Sequence, residues 1–532
     1  MKNITMTKSY RDSARVFTLI ALLLIAITTG ISHASENSLL YAVKSGDVDG
    51  VRDAIANGAD VNTVVRDETA LMAASARGYS EIANILIQKG AGVNVQQEFY
   101  NKRTALMMAV DANAFEIVEI LLRNGANLDL VDYRKNTALS LAIQRNSVQS
   151  VRLLLSAGAT ISDEEITELA ISLAKKGQWE TVKLLIEKNI INSNTKTKRE
   201  KTLLMIASEQ GDAEAVEFLV DHHANISEQA LFAAFKRKHC DVAKLLLDHP
   251  IKLTSKNKGK ITPLMEASAS GCVEVVKLLI DQGADVNRIT TAKGEKGNTA
   301  LFFAIEGNHI DVVKLLLEHK ADTEIKDNRR AESISFGFYG RNETGTALTL
   351  SIILKQFDSV KELLEHGANI KATVKNKSVL QLAVESENIN IVKILLKYGV
   401  DINEIVNDKT IFHLALKNGQ PEIAKLLIDN GASVPTKGKS GAKLLIDILE
   451  KGYFDIAKIL VLQGADVNAK QYRYKSKKTA LIIASEKSYK PNAYEIVKLL
   501  VEKGADTNAT DKDGNTALHY ARDSQVVSYL LT

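Results

Sequence analysis

Ten histidines and two cysteines are the side chains best suited to hold a metal or move a proton, and their placement suits neither task. The histidines are scattered, with His222 and His223 the one adjacent pair. That pair ends an apolar-periodic segment where a turn residue is needed, so it reads as a helix cap rather than a ligand set. Neither an HExxH pattern, nor a paired-cysteine metal signature, nor a glycine-rich phosphate loop occurs. The Ser, Asp and Glu residues fall at turn and surface positions, where a nucleophile would have no base to activate it. The expectation is a chain without catalysis, metal or cofactor.

Chemistry that binds is easier to find. The stretch from Asp327 to Gly345 carries Phe336, Phe338, Tyr339 and Arg341, and aromatic and arginine side chains dominate contact hot spots in loops. The alternative is that these rings tuck the stretch back onto its own support. Three further stretches are basic: NTKTKREK at 194–201, KLTSKNKGK at 252–260 with Lys256 and Lys258, and KQYRYKSKK at 470–478. The last interleaves Tyr472 and Tyr474 with Arg473 and Lys475, a pattern compatible with single-stranded nucleic acid or another polyanion. Solvated loop charge is the plainer alternative.

The elements that must position these residues come from a phrase that returns along the chain. TALMAASARGYSEIANILIQKGAGVN starts at Thr69 and TALMMAVDANAFEIVEILLRNGANLD at Thr104. Further copies start at Thr137, Thr202, Thr262, Thr299, Thr346, Ser378, Thr410, Thr479 and Thr516. With looser copies near Asp163, Gln229 and Ala442 and a starter at 37–68, they make about fifteen units. Gly58, Gly90, Gly125 and Gly158, then Gly367, Gly399, Gly431 and Gly464, are spaced by 32 to 35 residues. Each Thr is placed to cap a first helix, followed by Ala or by Pro263 at the first helical position. A turn and a second, amphipathic helix follow, closed by a Gly in the left-handed region. Such a hairpin cannot bury its apolar stripe alone, so neighbours must stack.

These phrases resemble the ankyrin-repeat family, whose consensus runs approximately DGNTALHxA, a Gly turn, VVKLLLxxGAD and VN. The fit is best at 262–287, 299–320 and 513–521, and the resemblance covers nearly all of 37–532. It implies an all-α repeat solenoid whose loop fingers and inner helices bind other proteins. His stands at the fourth motif position only in His413 and His519, so the family's local hydrogen bond from that ring is mostly missing. The closing Gly becomes Asn189, His223, Pro250 and Lys320. Asn and His tolerate positive φ and Pro cannot, which marks 163–261 as degenerate repeats and an expected joint. Trp179, just after the Gly177 turn, reads as surface packing, and the insertion at 486–493 with Pro491 as a local protrusion. Cys240 and Cys272 occupy nearly equivalent positions in consecutive units. Stacked helices lie about 8 to 10 Å apart, beyond the roughly 7 Å limit of an unstrained bridge, so two free thiols are expected.

A chain of 532 residues exceeds one compact domain of roughly 100 to 200 residues, as an open-ended repeat allows. Net charge is +4, much of it from Lys2, Lys8, Arg11 and Arg15, so the rest is nearly neutral and lacks a global drive toward polyanions. Those four residues precede the apolar run 16–27, and Ser32-His33-Ala34 follows with small residues where a signal peptidase reads. The run is shorter than the roughly 20 residues of a membrane span. It therefore reads as a secretory leader over 1–34, with an uncleaved anchor as the alternative. A mitochondrial presequence would lack so continuous an apolar centre.

The expected organisation is leader 1–34, starter repeat 35–68, repeats 69–162, degenerate repeats 163–261, repeats 262–515 with the finger 327–345, and capping helices 516–532. The expected function is a non-enzymatic scaffold in the periplasm or secreted, monomeric, binding protein partners, without nucleic acid or stable membrane insertion. An exported effector of a host or neighbouring-cell protein is one alternative. Polyanion binding through the basic fingers is another.

Overall fold

The computed structural model describes residues 38–251, 261–290, 297–326, 345–406, 409–471 and 476–532. The chain forms two compact units, one up to residue 253 and the other from residue 254. Each is an all-α array of antiparallel helix pairs, with short β-like turns between pairs.

Most of the threonines act as their positions predict, whereas the Thr299 hydroxyl makes no capping bond. In the first unit, Thr69 and Thr104 take extended backbone, and their hydroxyls accept the N–H of Met72 and Met107 at 3.2 Å each. In the second, Thr262 and Thr479 do the same for Met265 and Ile482 at 3.3 Å each. Where His takes the fourth motif position, the Thr hydroxyl meets the ring instead: Thr410 reaches His413 Nδ1 and Thr516 reaches His519 Nδ1, each at 2.9 Å. First helices are buried nearly all round, as in Ala70–Arg77 where Ala70 through Ser75 are all covered. Second helices bury one stripe, such as Ile117, Val118 and Leu121 in Phe115–Arg123 and Val312, Val313, Leu316 and Leu317 in Ile310–Glu318. Each fully buried Leu or Val contributes about 2 kcal/mol of apolar transfer.

The closing glycines lie in the left-handed region, with φ +88° at Gly90 and +92° at Gly431. Asn189, His223 and Lys320 take the same region at +55°, +63° and +62°. His222 stacks on Phe218 with ring centroids 4.0 Å apart, and His222 Nδ1 contacts the Phe218 carbonyl at 2.8 Å, so this pair finishes a helix.

Asparagines of the loop phrase then clasp one repeat to the next within each unit. Asn94 donates to the Gly125 carbonyl at 3.0 Å and accepts the Asn127 N–H at 2.7 Å. Asn468 does the same with Gly504 and Asp506 at 3.1 and 2.9 Å. The fingers end in tight antiparallel turns, for example Thr373–Val374 paired with Lys377–Ser378, with Thr373 opposite Ser378. Lys375 and Asn376 at its tip both have positive φ, the geometry that matches strand twist in a two-residue hairpin.

Two expectations are corrected. Trp179 is not surface packing. It is only 4% exposed, and its Nε1 donates to Gln210 Oε1 at 3.2 Å, while Gln210 caps the Ala174 carbonyl at 2.8 Å. The ring opens helix Trp179–Glu187 and is tied by that bond to the following hairpin. Nor are Cys240 and Cys272 free thiols: both are disulfide-bonded. They stand where second helices begin, Cys240 opening Cys240–Leu247 and Cys272 just before Val273–Asp281. Helix-axis spacing is therefore a poor guide to where their sulfurs lie.

The insertion after helix Ala480–Glu486 has a structural task. The Ser488 hydroxyl accepts the N–H groups of Arg522 and Asp523 at 2.7 and 3.1 Å, fastening the start of helix Ser524–Leu531.

Candidate functional site

Phe336, Phe338, Tyr339 and Arg341, Lys256 and Lys258, and Tyr472, Arg473, Tyr474 and Lys475 all lie outside the described residues, as does the leader 1–34. Of the three basic stretches, 194–201 is described throughout, and its lysines form ion pairs with neighbouring carboxylates. Lys198 pairs with Glu168 at 2.9 Å and with Glu164 at 3.8 Å, Lys196 pairs with Glu200, and Lys201 with Glu209. The hydrogen bond that Lys198 donates to Glu168 holds its ammonium above its ordinary pKa. The Lys201 hydrogen bond keeps the Glu209 carboxyl below its own. This finger lies against the acidic start of helix Asp163–Lys175, lining a groove of about 830 Å³ with it. Of the four cations in this stretch, Arg199 has no acidic partner among the described residues.

A different surface stands out in the first unit. Val64, Phe99, Tyr100, Val131 and Tyr133 are 54, 83, 71, 40 and 64% exposed on three consecutive fingers. Backbone and side-chain bonds lock those fingers together. Asp67, at φ +64° in the first turn, accepts the N–H groups of Glu98, Phe99 and Tyr100 at 2.7, 3.0 and 3.0 Å. Burial alone would raise the Asp67 pKa, but those three N–H donors outweigh it and hold the carboxyl below its ordinary value. The Tyr133 N–H donates to the Asn101 carbonyl at 2.9 Å, and Gln96 Nε2 to the Val131 carbonyl at 2.7 Å. A loop held this way loses less freedom when a partner docks, so its exposed rings give more net affinity.

Beside these rings opens a cleft of about 660 Å³. Fingers supply Asn101, Arg103, Asp132, Tyr133, Arg134 and Asn136; the first helices Ala105–Asp111, Ala138–Gln144 and Asp163–Lys175 supply Asp111, Leu141, Gln144, Leu169, Ser172 and Leu173, with Arg145 and Lys176 at helix ends. Asp111 lies between Arg103 and Arg145, the latter donating through Nε at 2.9 Å. Asp132 spends its carboxylate on the N–H groups of Arg134 and Asn136 at 2.8 Å each and on the Asn136 amide. Neither the Arg134 nor the Lys176 side chain has an acidic partner among the described residues, and the buried Nε of Arg103 finds no protein acceptor. The arrangement can bind; it holds no nucleophile paired with a base. Among the described residues no group of histidine, cysteine and carboxylate side chains is placed to hold a metal, and no helix is long and apolar enough to cross a membrane.

Sequence reasoning passed over this edge, although a signal was present. Val64, Phe99 and Tyr133 follow one another at 35 and 34 residues, one repeat each. An apolar residue recurring at the repeat period in a segment that is otherwise polar marks a shared exposed position.

This stacked, fingered architecture is that of a known class. The chain belongs to the ankyrin-repeat family: the family's three-copy profile, ankyrin repeats, matches residues 18–97, 39–132, 71–165, 168–257, 231–327, 332–406, 398–471 and 445–532. Among similar proteins, the ankyrin repeat and KH domain-containing protein mask of Drosophila melanogaster is 36% identical over 97 residues, 18% of this chain and 2% of that protein. Human ankyrin repeat and KH domain-containing protein 1 is 32% identical over 100 residues, 19% of this chain and 4% of that protein. An ankyrin repeat protein of fowlpox virus is 29% identical over 143 residues, 26% of this chain and 37% of that protein. The likeness thus spans a small part of these relatives and is a likeness of repeats.

Proposed function

We propose that the chain is a non-enzymatic scaffold that binds a protein partner through the finger edge and inner cleft of its first unit, outside the cytoplasm. Ankyrin repeats generally mediate binding between proteins, and the family is generally non-catalytic. The observation that carries the reading here is the row of exposed rings, Phe99, Tyr100 and Tyr133, on fingers that Asp67 and Asn101 hold in place. Exposed apolar groups gathered on one edge mark contact surfaces. Export is supported by the basic, apolar and small-residue order of residues 1–34 and by two disulfide-bonded cysteines, which suit an oxidising compartment.

Two measurements test this reading. Affinity capture of the full chain from its own cells is expected to return a stoichiometric protein that a Phe99→Ser/Tyr100→Ser/Tyr133→Ser variant fails to hold. Equal recovery by both chains would overturn the site. N-terminal sequencing of the fractionated protein is expected to start at Ser35; a chain confined to the cytoplasm with Met1 intact would overturn export.

A further inference from the structure

The cleft beside the finger edge carries a preference that the repeat fold does not supply. It presents Arg103, Arg134, Arg145 and Lys176 against two carboxylates, Asp111 and Asp132. Both carboxylates are already committed, one shared between two guanidiniums and the other to a turn. Arg134 and Lys176 point their charge at no acidic group among the described residues, and Tyr133 next to Arg134 joins the cleft to the exposed rings.

We infer that this cleft takes an acidic, extended segment of a partner protein, its carboxylates placed between Arg134, Arg145 and Lys176 and its apolar side chains laid on Phe99, Tyr100 and Tyr133. This rests on the scaffold reading and names the chemistry of the partner. Guanidiniums suit discrete carboxylates because their forked donors meet both oxygens. A nucleic acid strand fits less well. It needs cations tracking successive phosphates, whereas here the cations are few and two aspartates stand among them.

Selection of phage-displayed random peptides on the full-length protein tests the inference, followed by anisotropy titration of the enriched peptides. Enriched sequences are expected to set Asp or Glu beside apolar residues. Arg134→Glu/Lys176→Glu is expected to weaken them about tenfold, or about 1.4 kcal/mol, with the thermal midpoint unchanged because both side chains are exposed and unpaired. Neutral or basic winners, acidic peptides that bind the double variant as tightly as the wild type, or single-stranded oligothymidylate binding more tightly than any selected peptide would overturn it. If such peptides still depend on Phe99 and Tyr100, the scaffold reading stands while the acidic preference falls. Failure to enrich any peptide, or enriched peptides indifferent to Phe99→Ser/Tyr100→Ser, would bring down both.

Discussion

Asp67 shows how a single side chain sets the geometry of the proposed site. Its carboxylate takes three consecutive N–H groups of the neighbouring finger, so Asp67→Ala is expected to speed hydrogen exchange at residues 98–100 while leaving helix amides protected. Unchanged exchange at those three would refute the pinning. The sign of the pH dependence follows from the lowered carboxyl pKa. The pinning is complete above the ordinary carboxylate pKa of 3.8 and is lost as pH falls through the lower folded-state value. Amides 98–100 should therefore keep their relative protection at pH 5 and lose it only in stronger acid. None of this is legible at Asp67 alone, because the N–H donors it accepts lie 31 to 33 residues away. The two disulfide-bonded cysteines were misread for a related reason, since helix spacing does not report where a side chain at a helix start points. Denatured, unreduced protein is expected to show no titratable thiol, and recovery of two would reinstate the free pair.

At the scale of the element, local rules suffice, and here the residues spoke plainly. Thr before an apolar phrase caps, Gly after it closes, and both do so in most repeats, Thr299 being an exception. Thr104→Ala is expected to cost about 1 kcal/mol, read as a lowered urea midpoint, because a buried hydroxyl bond to Met107 is lost. A Cβ at Gly90 would meet open space, but φ is +88°, so Gly90→Ala should cost up to about 1 kcal/mol, the backbone strain less the freedom Ala removes from the unfolded chain. Lys320 occupies the equivalent left-handed position. Lys320→Gly should therefore be stabilising, by a few tenths of a kcal/mol once the extra freedom of Gly in the unfolded chain is set against the relieved strain. A loss of stability there would show that the side chain does more than close the helix. The Ser488 tether could not be read this way, because its partners Arg522 and Asp523 come from the next repeat.

For the molecule as a whole, repetition made the fold readable and left the site obscure. Many copies of one hairpin announce a stack, and the matching family profile agrees. The aromatic insert and most of the basic ones fall outside the described residues, 194–201 excepted, while the exposed edge sits on fingers of ordinary length. Stacking also determines how damage spreads. Leu121 is fully buried, and Leu121→Ala is expected to cost about 2 to 5 kcal/mol. In hydrogen exchange the loss should concentrate in the adjoining hairpins of the first unit. Equal loosening in the second unit would argue against nearest-neighbour stability.

The claim that most depends on measurement is that Tyr100 faces a protein partner. A full-length chain carrying benzoylphenylalanine in place of Tyr100, irradiated in its own cells, should give one discrete protein adduct that disappears when Phe99 and Tyr133 are changed to Ser. An adduct with nucleic acid, or no protein adduct from a chain that is folded and abundant, would contradict the account.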